Sequence, residues 1–133
     1  MEWKILDDRP IWQQLRRQLT LRIVAGIYPM GSRLPSVRDL AAEAGVNPNT
    51  MQRALNELER EGLLVSERTS GRFVTADKNL IDQLKHEMAA KTTDNFRKEM
   101  AALGFSDDEM MDFFRERCRK EMTAEAEAPE RVG

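Results

Sequence analysis

The stretch GVNPNTMQRALNELEREGLL, residues 45–64, decides the fold of this chain. Its apolar residues recur at the spacing of one face of an α-helix, at Met51, Ala54, Leu55 and Leu58. Asn47 and Pro48 are typical of the N-cap and of the first helical position. The residues that follow them, Asn49 and Thr50, are polar and are not needed to bury an apolar face. The sequence therefore predicts a short amphipathic helix that begins with a polar tip.

A second helix is predicted immediately before this one. In PSVRDLAAEAG, Ser36 is a suitable N-cap, and Asp39 three residues later resembles a capping box. Gly45 is typical of the left-handed residue that ends a helix. Because only Val46 and Asn47 separate the two helices, the pattern predicts a helix-turn-helix.

The flanking segments complete a compact domain. Upstream, a helix is predicted from Pro10 to Gly26, and residues 1–9 are expected to be extended. Downstream, LLVSERTSGRFVT predicts a β-hairpin with a polar tip. A hairpin that directly follows a helix-turn-helix is a wing, so residues 1–76 are predicted to form a winged helix-turn-helix DNA-binding domain.

Residues after Asp77 return to a helical pattern. One long helix is predicted to end at Gly104, and Ser106 with Glu109 forms a second capping box at the start of another. Residues 77–122 are therefore expected to be a helical dimerisation region, and residues 123–133 a disordered tail. The predicted fold class is α+β, mainly α: a winged helix-turn-helix domain followed by a two-helix C-terminal region.

Composition limits the classes of protein to be considered. The chain has 133 residues with one cysteine and one histidine, so an internal disulfide is excluded and no metal site is expected. No apolar run approaches the ~20 residues of a membrane span, and the first residues do not resemble a signal peptide. We expect a cytoplasmic protein that does not bind a membrane and has no cofactor. The sequence shows no nucleophile–base pair, carboxylate dyad or glycine-rich phosphate loop, so we do not expect an enzyme.

Charge is distributed unevenly along the chain. Residues 1–76 contain 11 Lys and Arg against 9 Asp and Glu, a net charge of +2, whereas residues 77–133 contain 10 against 14, a net charge of −4. The first part is thus better able to approach a polyanion.

A polar helix tip suits the major groove of DNA. The N-terminal residues of a recognition helix contact base edges, where asparagine can pair with adenine and threonine offers a hydroxyl or a methyl group. Asn49, Thr50 and Arg53 are therefore predicted base or phosphate contacts, and Gln52 is a further candidate. The alternative is that Asn49 and Thr50 belong to an ordinary helix start.

Arginine and glycine residues outside this helix extend the predicted interface. Arg38 lies in the first turn of the preceding helix, which should cross the phosphate backbone. Gly71 and Arg72 lie at the hairpin tip, where glycine allows close approach and arginine supplies charge in a minor groove. Arg68 and Arg33 are weaker candidates, for long-range attraction.

These motifs resemble a known family. GSRLPSVRDLAAEAGVNPNTMQRALNELEREGLLVSERTSGRFV is similar to the winged-helix domain of the GntR family of bacterial transcription regulators, over roughly residues 10–75. VNPNT and the short helical C-terminus resemble the YtrA-like subgroup. The resemblance implies that six residues fall at DNA-contacting positions: Arg38, Asn47, Asn49, Thr50, Gln52 and Gly71. Many members have Ser-Arg at Asn47-Pro48 and a second wing glycine at Thr69.

The C-terminal helices carry an apolar stripe that two helices alone would leave unburied. The predicted dimerisation residues are Leu84, Met88, Phe96, Met100, Met110, Phe113 and Phe114. Met111 and Met122 add to the same stripe. The alternative is that these helices fold back on the winged helix as a lid. Methionine-rich packing is adaptable, so a small-molecule effector also stays open.

The resulting prediction is a sequence-specific transcription regulator, a homodimeric repressor that binds double-stranded DNA at a palindromic operator. A winged-helix module for protein or RNA interaction, without operator specificity, is the competing hypothesis.

Overall fold

The computed structural model describes residues 1–127, which form five helices and a two-stranded sheet. The elements are α1 (Ile11–Val24), α2 (Val37–Ala44), α3 (Pro48–Arg60), β1 (Leu64–Glu67), β2 (Gly71–Val74), α4 (Lys78–Ala102) and α5 (Asp107–Glu127). The chain divides into two compact units after Glu87, within α4. This mainly helical architecture with one hairpin confirms the predicted fold class.

The core of the first unit lies between α1, α2, α3 and the hairpin. From α1 it takes Leu15, Leu19 and Ile23, the apolar positions that recur every four residues. From α3 it takes Met51, Ala54, Leu55 and Leu58, as the helical spacing predicted. Burial of these side chains stabilises each helix far more than its intrinsic propensity does.

The helix-turn-helix forms through the predicted caps. The Ser36 hydroxyl accepts a hydrogen bond from the backbone N–H of Asp39 at 3.1 Å. Gly45 ends α2 with φ = +69°, a left-handed conformation that costs a side-chain-bearing residue more than glycine. Asn47 then caps α3, with Pro48 in its first turn. These contacts confirm the local predictions and set the close approach of the two helices.

The hairpin after α3 is antiparallel, with Leu64 opposite Val74 and Glu67 opposite Gly71. A third segment pairs with it, because Arg33 forms an isolated bridge with Phe73. The N–H of Leu34 donates to the carbonyl of Arg72 at 2.9 Å. The sequence was interpreted as a turn-rich connector here, so this pairing was missed. It ties the α1–α2 connector to the wing.

The N-terminal segment is held along α1 by two glutamine side chains. The amide of Gln14 exchanges two hydrogen bonds with the backbone of Leu6, each 2.7 Å long. Gln18, one turn later, exchanges two with the backbone of Lys4. Each primary amide thus pairs with an extended backbone as a neighbouring strand would. The segment contains no regular element, as expected, and helix α1 begins at Ile11, one residue after Pro10.

The second unit contains the rest of α4 and α5. The capping box at α5 is reciprocal: Glu109 N–H donates to the Ser106 hydroxyl, and Ser106 N–H donates to the Glu109 carboxylate. A two-point ion pair joins Arg97 to Asp107, at 2.9 and 2.7 Å. Phenylalanine rings pack edge to face between Phe96 and Phe114, 6.0 Å apart, and between Phe105 and Phe113, 5.4 Å apart.

Two expectations for the C-terminal part differ from the structure. Helix α5 continues to Glu127, so the first residues of the expected tail, 123–127, are helical. The remainder, 128–133, lies outside the described residues. Leu84 and Met100, both predicted for a dimer surface, are not fully exposed: Leu84 is partly buried against the core of the first unit, and Met100 is only 8% exposed.

Candidate nucleic-acid interface

The N-terminal end of α3 is exposed and polar. Asn49 is exposed and Thr50 partly so, whereas Met51 in the next position is fully buried. The Asn47 side-chain oxygen accepts from Asn49 N–H at 2.8 Å, and the Asn47 carbonyl accepts from Thr50 and Met51. The cap therefore occupies the N–H groups of the first turn, and side chains must supply most contacts to a ligand at this end.

Arg53 is exposed and lies one turn into α3. Its guanidinium carbon lies 4.2 Å from the centre of the Trp12 ring on α1. Stacking on an indole favours a cation and limits the conformations of its side chain. Trp12 was not predicted to take part in the site, and helix α1 thus positions one predicted DNA contact.

Arg72 lies in β2 and is turned back toward α3. Its Nε donates to the Glu59 carboxylate at 2.5 Å, and its Nη2 donates to Asn56 Oδ1 at 3.1 Å. Only 18% of its side chain is exposed. The expected free arginine at the wing tip is therefore a partly buried, ion-paired arginine. Gln52, on the preceding turn of α3, donates to the same Asn56 oxygen at 2.9 Å.

The Glu59 carboxylate joins α3 to both strands of the wing. Partial burial raises the pKa of Glu59, but hydrogen bonds from Ser66 and Arg72, with the charge of Arg72, lower it by more. The pKa of Glu59 therefore lies below its usual value, and the group is ionised at neutral pH. The hydrogen bonds that lower the pKa of Glu59 are the same contacts that join the hairpin to α3.

Gly71 meets two structural requirements at once. Its φ is +100°, and a Cβ added there would lie 3.2 Å from Nε of Arg33. Glycine at this position thus allows the Arg33 guanidinium to approach the backbone of the hairpin closely. Arg68 lies in the turn itself and is exposed, so the basic groups on the wing surface are Arg33 and Arg68.

Arg38 is exposed in the first turn of α2. No residue in the described part of the chain forms an ion pair with it. The structure therefore brings into one unit the predicted residues Arg38, Asn47, Asn49, Thr50, Gln52, Arg53, Gly71 and Arg72. Of these, Asn47 is a cap, Arg53 is stacked and Arg72 is paired.

Comparisons with known proteins agree with this arrangement. The family model for bacterial regulatory proteins of the gntR family matches residues 12–74. The uncharacterized HTH-type transcriptional regulator YhcF of Bacillus subtilis is 34% identical over 112 residues, covering 84% of this chain and 93% of YhcF. This chain belongs to the GntR family. It is therefore a DNA-binding transcription regulator.

Two further relatives place this GntR-family chain more closely. A GntR family transcriptional regulator from Listeria monocytogenes has a solved structure with a TM-score of 0.76 and 37% identity, covering 84% of this chain and 98% of that one. The HTH-type transcriptional repressor YtrA of Bacillus subtilis is 41% identical over 69 residues, covering 52% of this chain and 53% of YtrA. The chain is of the YtrA-like type.

Several residues of this candidate interface could not be identified by sequence reasoning. Trp12, Asn56 and Glu59 act on other side chains through contacts between elements, and no local motif marks them. Arg33 was named only as a weak candidate. Polar Arg33 is exposed and the next residue, apolar Leu34, is buried. This polar–apolar alternation could have indicated a short strand.

Residues 1–127 contain no group of three or more His, Cys, Asp or Glu placed to hold a metal ion. Within the same residues, no helix is long and apolar enough to cross a membrane. The relatives are named as transcription regulators, which indicates a non-enzymatic role.

Proposed function

We propose that this chain is a sequence-specific, homodimeric repressor that binds a palindromic operator through the N-terminal end of α3. The observation that carries the proposal is the contrast within α3. Asn49 is exposed at its tip, while Met51 and Leu55 are buried against the rest of the first unit. A helix held from behind and polar in front suits entry into a major groove.

The contacts would divide between bases and phosphates. Asn49, Thr50 and Gln52 are candidates for base edges, since amides and hydroxyls match the donors and acceptors there. Arg38 and Arg53 are candidates for phosphates, as exposed cations. Arg33 and Arg68 on the wing would add charge beside the groove. A module for protein or RNA interaction would not need this combination.

The second unit supports association of two copies. Large apolar side chains are left exposed in it, including Leu103 at 73%, Phe114 at 56% and Phe113 at 49%. Contiguous exposed apolar surface commonly marks an interaction site. We propose that Met88, Phe96, Met110, Phe113 and Phe114 contribute to a dimer interface, and that Met100, only 8% exposed, packs beneath it. Leu84 is partly buried against the core of the first unit and presents only part of its side chain to a partner.

A dimer places two recognition helices on two half-sites, so the operator should be palindromic. Repression is proposed by analogy with YtrA, which is named a repressor. Occupation of a promoter would then block transcription. Since bacterial DNA is in the cytoplasm, the protein is expected to work there.

Selection of bound duplexes from a random pool tests the proposal directly. The full chain should return an inverted repeat, and the half-site spacing should be near a multiple of one DNA turn. Asn49→Ala should lower specific affinity by roughly 5- to 150-fold if Asn49 contacts a base. Failure to select any motif would reject operator binding and leave the interaction-module hypothesis.

A further inference from the structure

Four side chains form a continuous polar relay from the wing to the recognition helix. In order they are Glu59, Arg72, Asn56 and Gln52. Arg72 donates to Glu59 at 2.5 Å and to Asn56 at 3.1 Å, and Gln52 donates to Asn56 at 2.9 Å. We call this set the wing relay. It ends on Gln52, which lies close to the exposed tip of α3.

The chemistry of the relay fixes the orientation of both amides. Arginine has only N–H donors and no acceptor, so Asn56 must turn its carbonyl oxygen toward Arg72. The same oxygen faces Gln52, which must therefore offer its NH₂ group. If either amide were rotated by 180°, two donors or two acceptors would face each other. The ion pair with Glu59 holds the Arg72 side chain in place at the start of this series of hydrogen bonds.

The fixed orientation decides what Gln52 can offer to a ligand. One of its two N–H bonds is used by Asn56, which leaves the carbonyl oxygen and the other N–H. These two groups can lie on one edge of the amide, as an acceptor beside a donor. Adenine presents the complementary pair in the major groove, N6–H₂ as donor and N7 as acceptor. Guanine presents two acceptors there and would face the Gln52 oxygen unfavourably.

We propose that the wing relay holds the Gln52 amide for a contact with adenine, so that Arg72 and Asn56 are positioning residues for base specificity. The inference rests on the proposed function, because it needs α3 in the major groove. The wing then acts on specificity without its Arg72 touching DNA. Partial burial and pairing of Arg72 with a carboxylate make it a poor phosphate ligand.

Two wing arginines give a matched comparison. Arg72 is in the relay, whereas Arg68 is exposed in the hairpin turn. Arg72→Met should keep nonspecific affinity within about twofold and leave the salt dependence unchanged. Arg68→Met should weaken binding to all sequences and flatten the salt slope by about 1 per contact, while base preferences stay the same.

The main experiment selects bound duplexes with four forms of the full chain: wild type, Gln52→Met, Arg72→Met and Asn56→Ala. Gln52→Met should identify one position per half-site where a preference for adenine, at least about fivefold in the wild type, is lost. Arg72→Met and Asn56→Ala should relax the same position to within about twofold. The double variant Gln52→Met/Arg72→Met should lose no more adenine preference than Gln52→Met alone, because both substitutions act on one contact.

A measurement without DNA separates this inference from the proposed function. In ¹H–¹⁵N spectra of the free protein, the side-chain NH₂ signals of Gln52 and Asn56 should be distinct from those of solvated amides. In Arg72→Met they should move toward solvated values, with the fold checked by circular dichroism. Asn56→Ala, at an exposed position, is the second variant should Arg72→Met unfold.

Three results would overturn the relay. One is an unchanged preference at the Gln52 position in both Arg72→Met and Asn56→Ala. Another is a uniform loss of affinity in Arg72→Met with a smaller salt slope, which would make Arg72 a phosphate contact. The third is amide signals in Arg72→Met identical to the wild type. Absence of any selected motif with the wild type, while its amide signals are shifted, would instead reject the proposed function.

Discussion

Replacing Arg38 by alanine tests whether α2 meets the DNA backbone. Arg38 is exposed, and within residues 1–127 no carboxylate is paired with it. Its charge is therefore available to a phosphate without first breaking an ion pair. Its loss should weaken binding to all duplex sequences alike, since a phosphate contact carries no direct base information.

The size of the effect follows from counterion release. Each phosphate neutralised on duplex DNA contributes about 0.9 to the slope of log K against log salt. A dimer carries two copies of Arg38, so the slope should fall by about 1.8. Between 50 and 200 mM salt, the variant should then lose about 12-fold less affinity than the wild type does.

Fluorescence anisotropy with a labelled operator duplex, titrated at four salt concentrations, measures both slopes. Arg60→Ala is the matched control, because Arg60 is exposed at the opposite end of α3 and is paired with Glu57 at 3.2 Å. Its slope should equal that of the wild type. Equal slopes for Arg38→Ala and the wild type would remove Arg38 from the interface, and equal losses in both variants would indicate only long-range attraction.

Two further substitutions test the association and the wing. Phe113→Asp should raise the dimer dissociation constant at least ~100-fold, since each copy loses about 1–1.5 kcal/mol of apolar burial and gains a charge. Sedimentation measures the change, and Phe113→Leu, the control, should stay dimeric. If the aspartate variant also stays dimeric, the dimer interface does not include Phe113. Glu59→Gln should reduce the pH dependence of stability: a lowered folded pKa gives stability that is present above the unfolded pKa, near 4.5, and is lost as pH falls through the folded value. Thermal melts at pH 7 and below pH 4.5 should therefore differ more for the wild type than for Glu59→Gln, and equal differences would show that Glu59 is not preferentially ionised in the fold.

The elements that were predicted depend on interactions close in sequence. Ser36 bonds a residue three positions away, and Asn47 bonds one two positions away. Gly45 ends its helix through its own backbone conformation. The apolar stripe of α3 is likewise a periodic feature of one segment. Such signals survive in a sequence without knowledge of the rest of the fold, which is why the helix-turn-helix and the wing could be placed.

The features that were missed depend on partners far apart in sequence. Arg72 was predicted to supply charge to a minor groove because it lies at the hairpin tip beside Gly71. Its partners, Asn56 and Glu59, come from another element and reach it only once the hairpin packs on α3. Arg53 is similar, since its partner Trp12 lies on α1. Residue types in the sequence thus indicated which surface could face DNA. The tertiary fold determines which of its arginines are paired or stacked and which are not.

The distribution of ion pairs along α3 gives the helix a direction for binding. Its acidic residues all lie in the second half or just beyond. Each forms an ion pair with an arginine: Glu57 with Arg60, Glu59 with Arg72, and Glu61 with Arg16. The first half carries no acidic residue and holds Arg53. At the C-terminal half the arginines are already paired with carboxylates, so phosphates would be attracted more strongly to the N-terminal end, where Arg53 has no carboxylate partner among the described residues and the helix dipole is positive. The net charge of the first domain is therefore a poor guide to its function, because the arrangement of charges along this helix favours entry by its N-terminal tip.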